Sequence, residues 1–198
     1  MAISETTPGP EGDGRTRRRV RNREKVVQAL YELIGEGHRR PTADQVAERA
    51  GVGRRTVFRH FDDLESLFAE LAQQVREQAR VGRAPRDTQG TLDERIDLLV
   101  SRRAELFERL APFRRSNQVH VWRSPVLQRF DAENAEELRA DTHHALPELV
   151  DASAAVRRGV EHITSPAAWD GLREQQELEP EAARAVVRDL VRLLLGRD

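Results

Sequence analysis

Four residues in one short stretch have side chains suited to reading nucleic acid. Arg54, Arg55, Thr56 and Arg59 fall within about two turns of a possible helix. A guanidinium can donate to both O6 and N7 of a guanine, and a threonine hydroxyl can contact a base or a phosphate. The plainer alternative is that these side chains only solvate an exposed helix. Three arginines directly after a glycine turn favour a DNA-contacting surface.

The elements around this stretch predict a helix-turn-helix. Thr42 with Gln45 three residues later forms a capping box that starts one helix. Gly51-Val52-Gly53 is long enough only for a tight turn before the next helix, residues 54–61. A supporting helix precedes both, with Asn22 as its N-cap, which completes the three-helix arrangement.

Helical periodicity assigns the two faces of the third helix. Val57 and Phe61 are four residues apart and share one face, which we expect to be buried. Arg55, Thr56 and Arg59 lie on the opposite face, which is then free to meet a major groove.

The charge of the chain is unevenly distributed. The whole sequence has 198 residues and a formal net charge of −1. Residues 1–60 carry 13 basic and 8 acidic side chains, whereas the remainder carries 20 and 26. This asymmetry is typical of a nucleic-acid-binding module joined to a domain with another task.

Several classes of protein are disfavoured by what the sequence lacks. With no cysteine there is no disulfide or thiolate metal site. The only lysine, Lys25, follows Glu24, so a phosphate-binding loop of the Walker type cannot be written. Neither a membrane span nor a signal peptide is predicted, and we expect a cytoplasmic protein without metal or cofactor.

The rest of the chain has helical patterns only, so the predicted fold class is all-α. Asp63 can cap a fourth helix that fades near Gly82, and Thr91 with Glu94 predicts a further capping box whose helix ends at Pro112. Shorter helical pieces follow over residues 119–130, 132–146 and 149–163, with breaks at Pro125, Pro147 and Pro166, and a last helix lies at 180–195. The predicted domains are a disordered tail (1–14), a helix-turn-helix domain with a basic arm (15–68), a connecting helix and loop (69–90) and a helical-bundle domain (91–198).

The central stretch resembles the DNA-binding domain of TetR-type (TetR/AcrR) transcriptional regulators. The resemblance rests on residues 41–61, PTADQVAERAGVGRRTVFRHF, and on residues 64–68, LESLF. It covers about residues 22–75, and more loosely the helical remainder with Trp169, Leu172 and Arg173. It implies a regulator, expected to be a repressor, that binds a palindromic operator as a homodimer and responds to a small-molecule effector.

The resemblance also implies which side chains face DNA. In that family a tyrosine usually stands where this chain has Phe58, a lysine where it has Leu64, and a serine cap where it has Gly53. Our hypothesis is that arginines of the stretch 15–23 and Arg39 or Arg40 compensate for the missing phosphate contacts. The complete set predicted to contact DNA is Arg17, Arg18, Arg19, Arg40, Thr42, Arg54, Arg55, Thr56, Phe58, Arg59 and His60.

The remaining domain is expected to dimerise and to bind the effector. Its final helix has more aliphatic residues than one exposed surface needs, and in the family such helices pair with their copies. Aromatic and polar residues interleaved with apolar stretches are the candidates for binding a ligand: Phe113, Asn117, His120, Trp122, Phe130 and His143. His143 and its neighbour His144 point to different sides of a helix, so metal binding by this pair is not predicted.

Two other function classes fit the sequence less well. An enzyme is disfavoured because the 34 carboxylates and 6 histidines form no catalytic constellation. The main alternative is a helical adaptor or architectural protein that binds nucleic acid without regard to sequence, or binds a protein. A mobility shift with competitor DNA separates these, since only the regulator would be sequence-specific.

Overall fold

The computed structural model describes residues 11–81, 89–122 and 124–196, which divide into two compact units. Within these ranges the chain is helical and contains no strand, which confirms the all-α prediction. The first unit extends to Leu71, and the second begins at Ala72. None of the helices in the described ranges is long and apolar enough to cross a bilayer.

The first unit is a three-helix arrangement with the start of a fourth helix. Its elements are α1 (Glu11–Gly35), α2 (Ala43–Ala50), α3 (Arg54–His60) and the first part of α4 (Leu64–Val81). One aliphatic side chain from each helix is fully buried: Leu30, Val46, Val57 and Leu67. These contacts remove apolar surface from water and fix α3 against the other helices.

The second unit surrounds a core to which each of its α-helices after α4 contributes. Its elements after α4 are α5 (Leu92–Val121), α6 (Pro125–Ala145), a short 3-10 helix (Pro147–Val150), α7 (Ala154–Ile163), α8 (Pro166–Asp170), a π-helical turn (Gly171–Gln175) and α9 (Pro180–Leu194). Ile96 of α5, Leu138 of α6, Val160 of α7, Trp169 of α8 and Val191 of α9 all belong to this core.

Several predicted helix boundaries are confirmed by their caps. The Thr42 hydroxyl accepts from the backbone N–H of Gln45, whose side chain returns to the Thr42 N–H. The Ser66 N–H donates to Asp63 at 2.7 Å, and the Thr91 box forms with Glu94. Each cap satisfies backbone donors that the first turn of a helix would otherwise leave without partners.

Other predicted boundaries are wrong. Asn22 does not cap α1, which begins at Glu11, so residues 11–14 of the predicted tail are helical. Pro112 lies inside α5 rather than ending it. The predicted pieces 119–130 and 132–146 are not separate helices, because α6 continues without interruption through residue 131. The break predicted at Pro125 is confirmed, with Pro125 in the first turn of α6 behind a Ser124 cap. Residues 1–10 of the tail and 82–88 of the predicted loop lie outside the described residues.

Candidate nucleic-acid interface

The turn between α2 and α3 sets the direction of α3. Gly51 adopts a left-handed conformation, with φ of 65°, and its N–H bonds to the carbonyl groups of Ala47 and Glu48. Only glycine takes this conformation without a steric penalty, so Gly51 ends α2 cleanly. Gly53 then precedes α3, and its carbonyl accepts from the N–H of Thr56 at 2.7 Å.

The two faces of α3 separate as the periodicity predicts. Val57 and the following cap residue Phe61 are buried in the core of the first unit. Arg55 and Arg59 are exposed, and Thr56 is half-buried. The solvent face of α3 therefore presents two guanidinium groups from consecutive turns, about the spacing at which a helix can meet successive bases in a major groove.

Arg54 makes contacts within the first unit. Its Nη1 lies 3.0 Å from a carboxylate oxygen of Asp44, and its Cζ lies 5.5 Å from the centre of the Phe58 ring. Phe58 is 39 % exposed and Thr42 is exposed beside its cap partner Gln45. The positive charge of Arg54 is thus partly neutralised by the carboxylate of Asp44, which distinguishes Arg54 from Arg55 and Arg59.

His60 occupies a more enclosed position than its neighbours on α3. Its Nε2 is buried and has no hydrogen-bond partner among the described residues. Burial lowers the pKa of His60, and the charges of Arg59, Arg19 and Arg23 lower that pKa further. His60 is therefore held in its neutral form, and Nε2 could reach a phosphate only after a local movement.

The arginines of α1 fall into two groups. Arg17, Arg18 and Arg19 are exposed along the first turns of the helix, and Arg40 is exposed after α1. Arg23 is instead half-buried, and it donates to the carbonyl of His60 at 3.0 Å and to Glu70 at 2.9 Å. Sequence reasoning grouped Arg23 with the basic arm and missed this role, although its place one turn before Val26 and Val27 was a signal.

A separate cavity of about 290 Å³ lies within the second unit. Its lining includes Arg103 of α5, Leu138 and Thr142 of α6, Glu161 of α7, and Thr164, which directly follows α7. Sequence reasoning did not single out any of these five. Arg103 recurs at helical spacing with Leu99, Val100 and Phe107, which was a signal that it faces the core.

Five of the six residues predicted to bind a ligand lie elsewhere in the second unit and do not line this cavity: Phe113, Asn117, Trp122, Phe130 and His143. Phe113 and Phe130 are half-buried, while Trp122 is 64 % exposed. Asn117 donates to Asp131 at 3.2 Å, and a ring nitrogen of His143 lies 2.7 Å from Glu161. The backbone of His120 belongs to α5, but its side chain lies outside what the structure describes.

Two comparisons with known proteins give matches, one to a family profile within the first unit and one to solved structures that share the fold. Residues 26–71 match the profile of the tetR family of bacterial regulatory proteins. No curated protein matches the sequence significantly.

Solved structures match the fold along nearly the whole chain. A transcriptional regulator from Rhodococcus sp. Rha1 has a TM-score of 0.68 at 16 % identity, covering 88 % of this chain and 96 % of that one. A protein described as a TetR-family regulator from Mesorhizobium loti MAFF303099 has a TM-score of 0.57 at 17 % identity, covering 90 % and 97 %. The multidrug binding protein EbrR, complexed with imidazole, has a TM-score of 0.57 at 18 % identity, covering 86 % and 92 %.

Proposed function

We propose that this chain, a DNA-binding transcriptional regulator of the tetR family of bacterial regulatory proteins, is a repressor that binds a palindromic operator as a homodimer. The observation that carries the proposal is the exposed pair Arg55 and Arg59 on α3, whose opposite face is fixed by buried Val57 and Phe61. A rigid helix with a cationic solvent face beside a glycine turn suits insertion into the major groove.

Different arginines would serve different purposes on DNA. Arg55 and Arg59 have the reach and the paired donors to read guanine bases. Arg17, Arg18, Arg19 and Arg40 are exposed but lie outside α3, so they are assigned to phosphates, which contribute affinity without sequence preference. The exposure of these four arginines supports the hypothesis that the stretch 15–23 and Arg39 or Arg40 compensate for the absent hydroxyl at Phe58 and the absent charge at Leu64.

The last helix supports a homodimer. Ala183, Val187 and Val191 of α9 are buried in the second unit, yet Leu190 and Leu193 of the same helix are exposed, Leu193 by 60 %. Apolar side chains on two sides of one helix are more than a single core requires. A homodimer that buries Leu190 and Leu193 against a second copy carries two α3 helices, which calls for an operator with two-fold symmetry.

Effector control is supported by the cavity and by the link from α6 to α4. Arg76 of α4 bonds to Glu133 and Glu137 of α6, the latter at 2.5 Å. The cavity is lined partly by α6, and α4 begins in the first unit. A ligand that prefers one position of α6 would bias α4 and so change the affinity for the operator.

The test is selection of bound DNA from a random pool by the purified full chain. A repressor of this kind should enrich one motif with two inverted half-sites. Recovery of unrelated sequences with equal efficiency would instead favour the alternative of an architectural or adaptor protein.

A further inference from the structure

We propose that Arg54 reads a guanine base of the operator and that Asp44 is the residue that positions it. This assignment rests on the proposed function, because it concerns how α3 recognises its DNA. It adds a third guanidinium to the exposed pair Arg55 and Arg59. Its basis is an ion pair and a ring contact at the N-terminal ends of α2 and α3.

Asp44 and Arg54 connect the starts of two helices. Asp44 lies in the first turn of α2, and Arg54 is the first residue of α3. Their side chains are 67 % and 62 % exposed. In a helix-turn-helix protein, the N-terminal residues of the recognition helix contact the edges of the bases. On the operator, this ion pair therefore lies at the base-contacting end of α3.

The ion pair leaves two donors of Arg54 available on one edge of its guanidinium. Both carboxylate oxygens of Asp44 contact the same nitrogen, Nη1, at 3.0 and 3.3 Å. Within the part of the chain that the structure describes, Nε and Nη2 of Arg54 make no hydrogen bond. An arginine edge with two N–H donors matches the O6 and N7 acceptors of guanine. Arg54 can thus bind Asp44 and a guanine at the same time.

Asp44 and Phe58 together restrict the guanidinium. Cζ of Arg54 lies 5.5 Å from the centre of the Phe58 ring, one turn further along α3, which is within the range of a cation–π contact. A long side chain that is free in solution loses rotamer freedom when it binds a base. Because two contacts already hold Arg54 in the free protein, less of that freedom is lost on binding DNA.

Two other roles for Asp44 lead to different results. A carboxylate in the first turn of a helix stabilises that helix through its dipole, whether or not Arg54 is present. A carboxylate that withholds Arg54 from DNA would weaken operator binding, so its removal would strengthen it. Only the positioning role predicts that loss of the Asp44 charge reduces recognition of one guanine, and does so only when Arg54 is present.

The probe is the operator recovered by selection from the random pool. Each guanine of its half-sites is replaced in turn by 7-deazaguanine, which lacks the N7 acceptor, and the affinity of the full chain is measured by fluorescence anisotropy. At least one replacement should weaken wild-type binding about fivefold or more. Arg54→Gln should abolish the effect at one such position and leave the effects at other guanines unchanged. If Arg54→Gln is sensitive to the same guanines as the wild type, even at a lower overall affinity, Arg54 reads no base and the proposal is wrong.

Asp44→Asn tests the positioning role. It should reduce the 7-deazaguanine effect at the Arg54-dependent position about twofold or more, with no further influence in an Arg54→Gln background. Both side chains are exposed, so we expect these variants to fold. An effect that is unchanged or larger in Asp44→Asn would overturn the positioning role.

Glu48→Gln is the matched control, because it removes an exposed carboxylate from the same helix. It should leave the 7-deazaguanine effect as it is in the wild type. An equal reduction in Glu48→Gln would assign the result to net charge and contradict the specific role of Asp44.

Failure of this proposal can be told apart from failure of the proposed function. A symmetric operator whose sensitive guanines do not depend on Arg54 keeps the regulatory function and removes Arg54 from base recognition. Equal binding of all duplexes contradicts both, since no operator then exists for Arg54 to read.

Discussion

The guanidinium of Arg23 lies over the ring of Phe61, with Cζ 4.5 Å from the ring centre. The same group bonds to the His60 carbonyl and to Glu70 of α4. Arg23 therefore links α1 to the C-terminal end of α3 and to α4. Arg23 is a positioning residue, because its contacts fix the helix that carries Arg55 and Arg59.

Replacing Arg23 should loosen α3. Arg23→Met keeps the aliphatic stem but removes the two hydrogen bonds and the charge over Phe61, which together contribute about 1–2 kcal/mol at a half-exposed site. Amide hydrogen exchange in residues 54–61 should accelerate about fivefold or more. Arg21→Met removes an exposed charge from the same helix and should leave that exchange unchanged. Equal acceleration in both variants would refute the positioning role.

The exposed arginines of α1 should govern the salt dependence of DNA binding. Each phosphate contact contributes about 0.9 to the slope of log K against log salt concentration. Arg18→Gln combined with Arg19→Gln should lower this slope by roughly one to two per protomer, with little change in sequence preference. The matched control is Arg109→Gln with Arg129→Gln, two exposed arginines of the second unit. An unchanged slope in the α1 variant would end the compensation hypothesis.

His60 should make the first unit sensitive to mild acid. Its pKa is lowered in the folded chain, so the unfolded chain takes up the proton first as the pH falls below about 6.5. Stability is therefore lost from that pH downward, until the folded form is protonated as well. NMR titration of the His60 ring should give a midpoint below about 6.5, and Arg19→Gln should raise it. A midpoint at or above that value would contradict the enclosed position of the ring.

Glu108 should stabilise the second unit through two donors. The Trp169 indole N–H and the Arg173 Nε both lie 2.8 Å from the same Glu108 oxygen. Glu108→Gln should lower the free energy of unfolding by about 1 kcal/mol, as measured by urea denaturation followed by tryptophan fluorescence. Glu105→Gln, an exposed neighbour on α5, is the control and should change it little.

The same carboxylate predicts a pH dependence. The hydrogen bond from Arg173 is the main reason that the pKa of Glu108 is lowered. Its contribution is thus present above the ordinary glutamate pKa of about 4.3 and is lost as the pH falls through the lower folded value. The difference between the wild type and Glu108→Gln should shrink in that window. A difference that persists unchanged in acid would show that the charge is not the cause.

The sequence predicted the fold best where the signal is local. The Thr42–Gln45 and Thr91–Glu94 boxes and the turn at Gly51 depend on neighbouring residues, so they could be read directly. The start of α1 could not be predicted, because Gly14 and residues 16–21 are exposed and this stretch shows no apolar periodicity. Pro112 led to a wrong helix end because a proline inside a helix costs about 3 kcal/mol. In the folded chain, packing across α5 offsets that loss.

The contacts around Pro112 explain why α5 continues through this proline, and they involve residues that are distant in the sequence. Phe107 on one side and Ser116 on the other are buried, and Arg114 bonds to the Phe107 carbonyl at 2.7 Å as well as to Asp170 of α8. The cavity could not be predicted for a similar reason: periodicity can place Arg103 on the core face of α5, but the cavity forms only where α6 and α7 meet that face. The exposed face of α3 was predictable because a single helix defines it.

The most direct test of the account is the ratio of two affinities, for the selected operator and for a scrambled duplex of the same length and composition. Fluorescence anisotropy at about 0.15 M salt would give both dissociation constants. We predict that the wild type prefers the operator by about 1,000-fold or more. Arg55→Ala or Arg59→Ala should each reduce that preference by an amount equivalent to about 1–3 kcal/mol. A wild-type ratio near one, or a ratio unaffected by both substitutions, would contradict sequence recognition by α3.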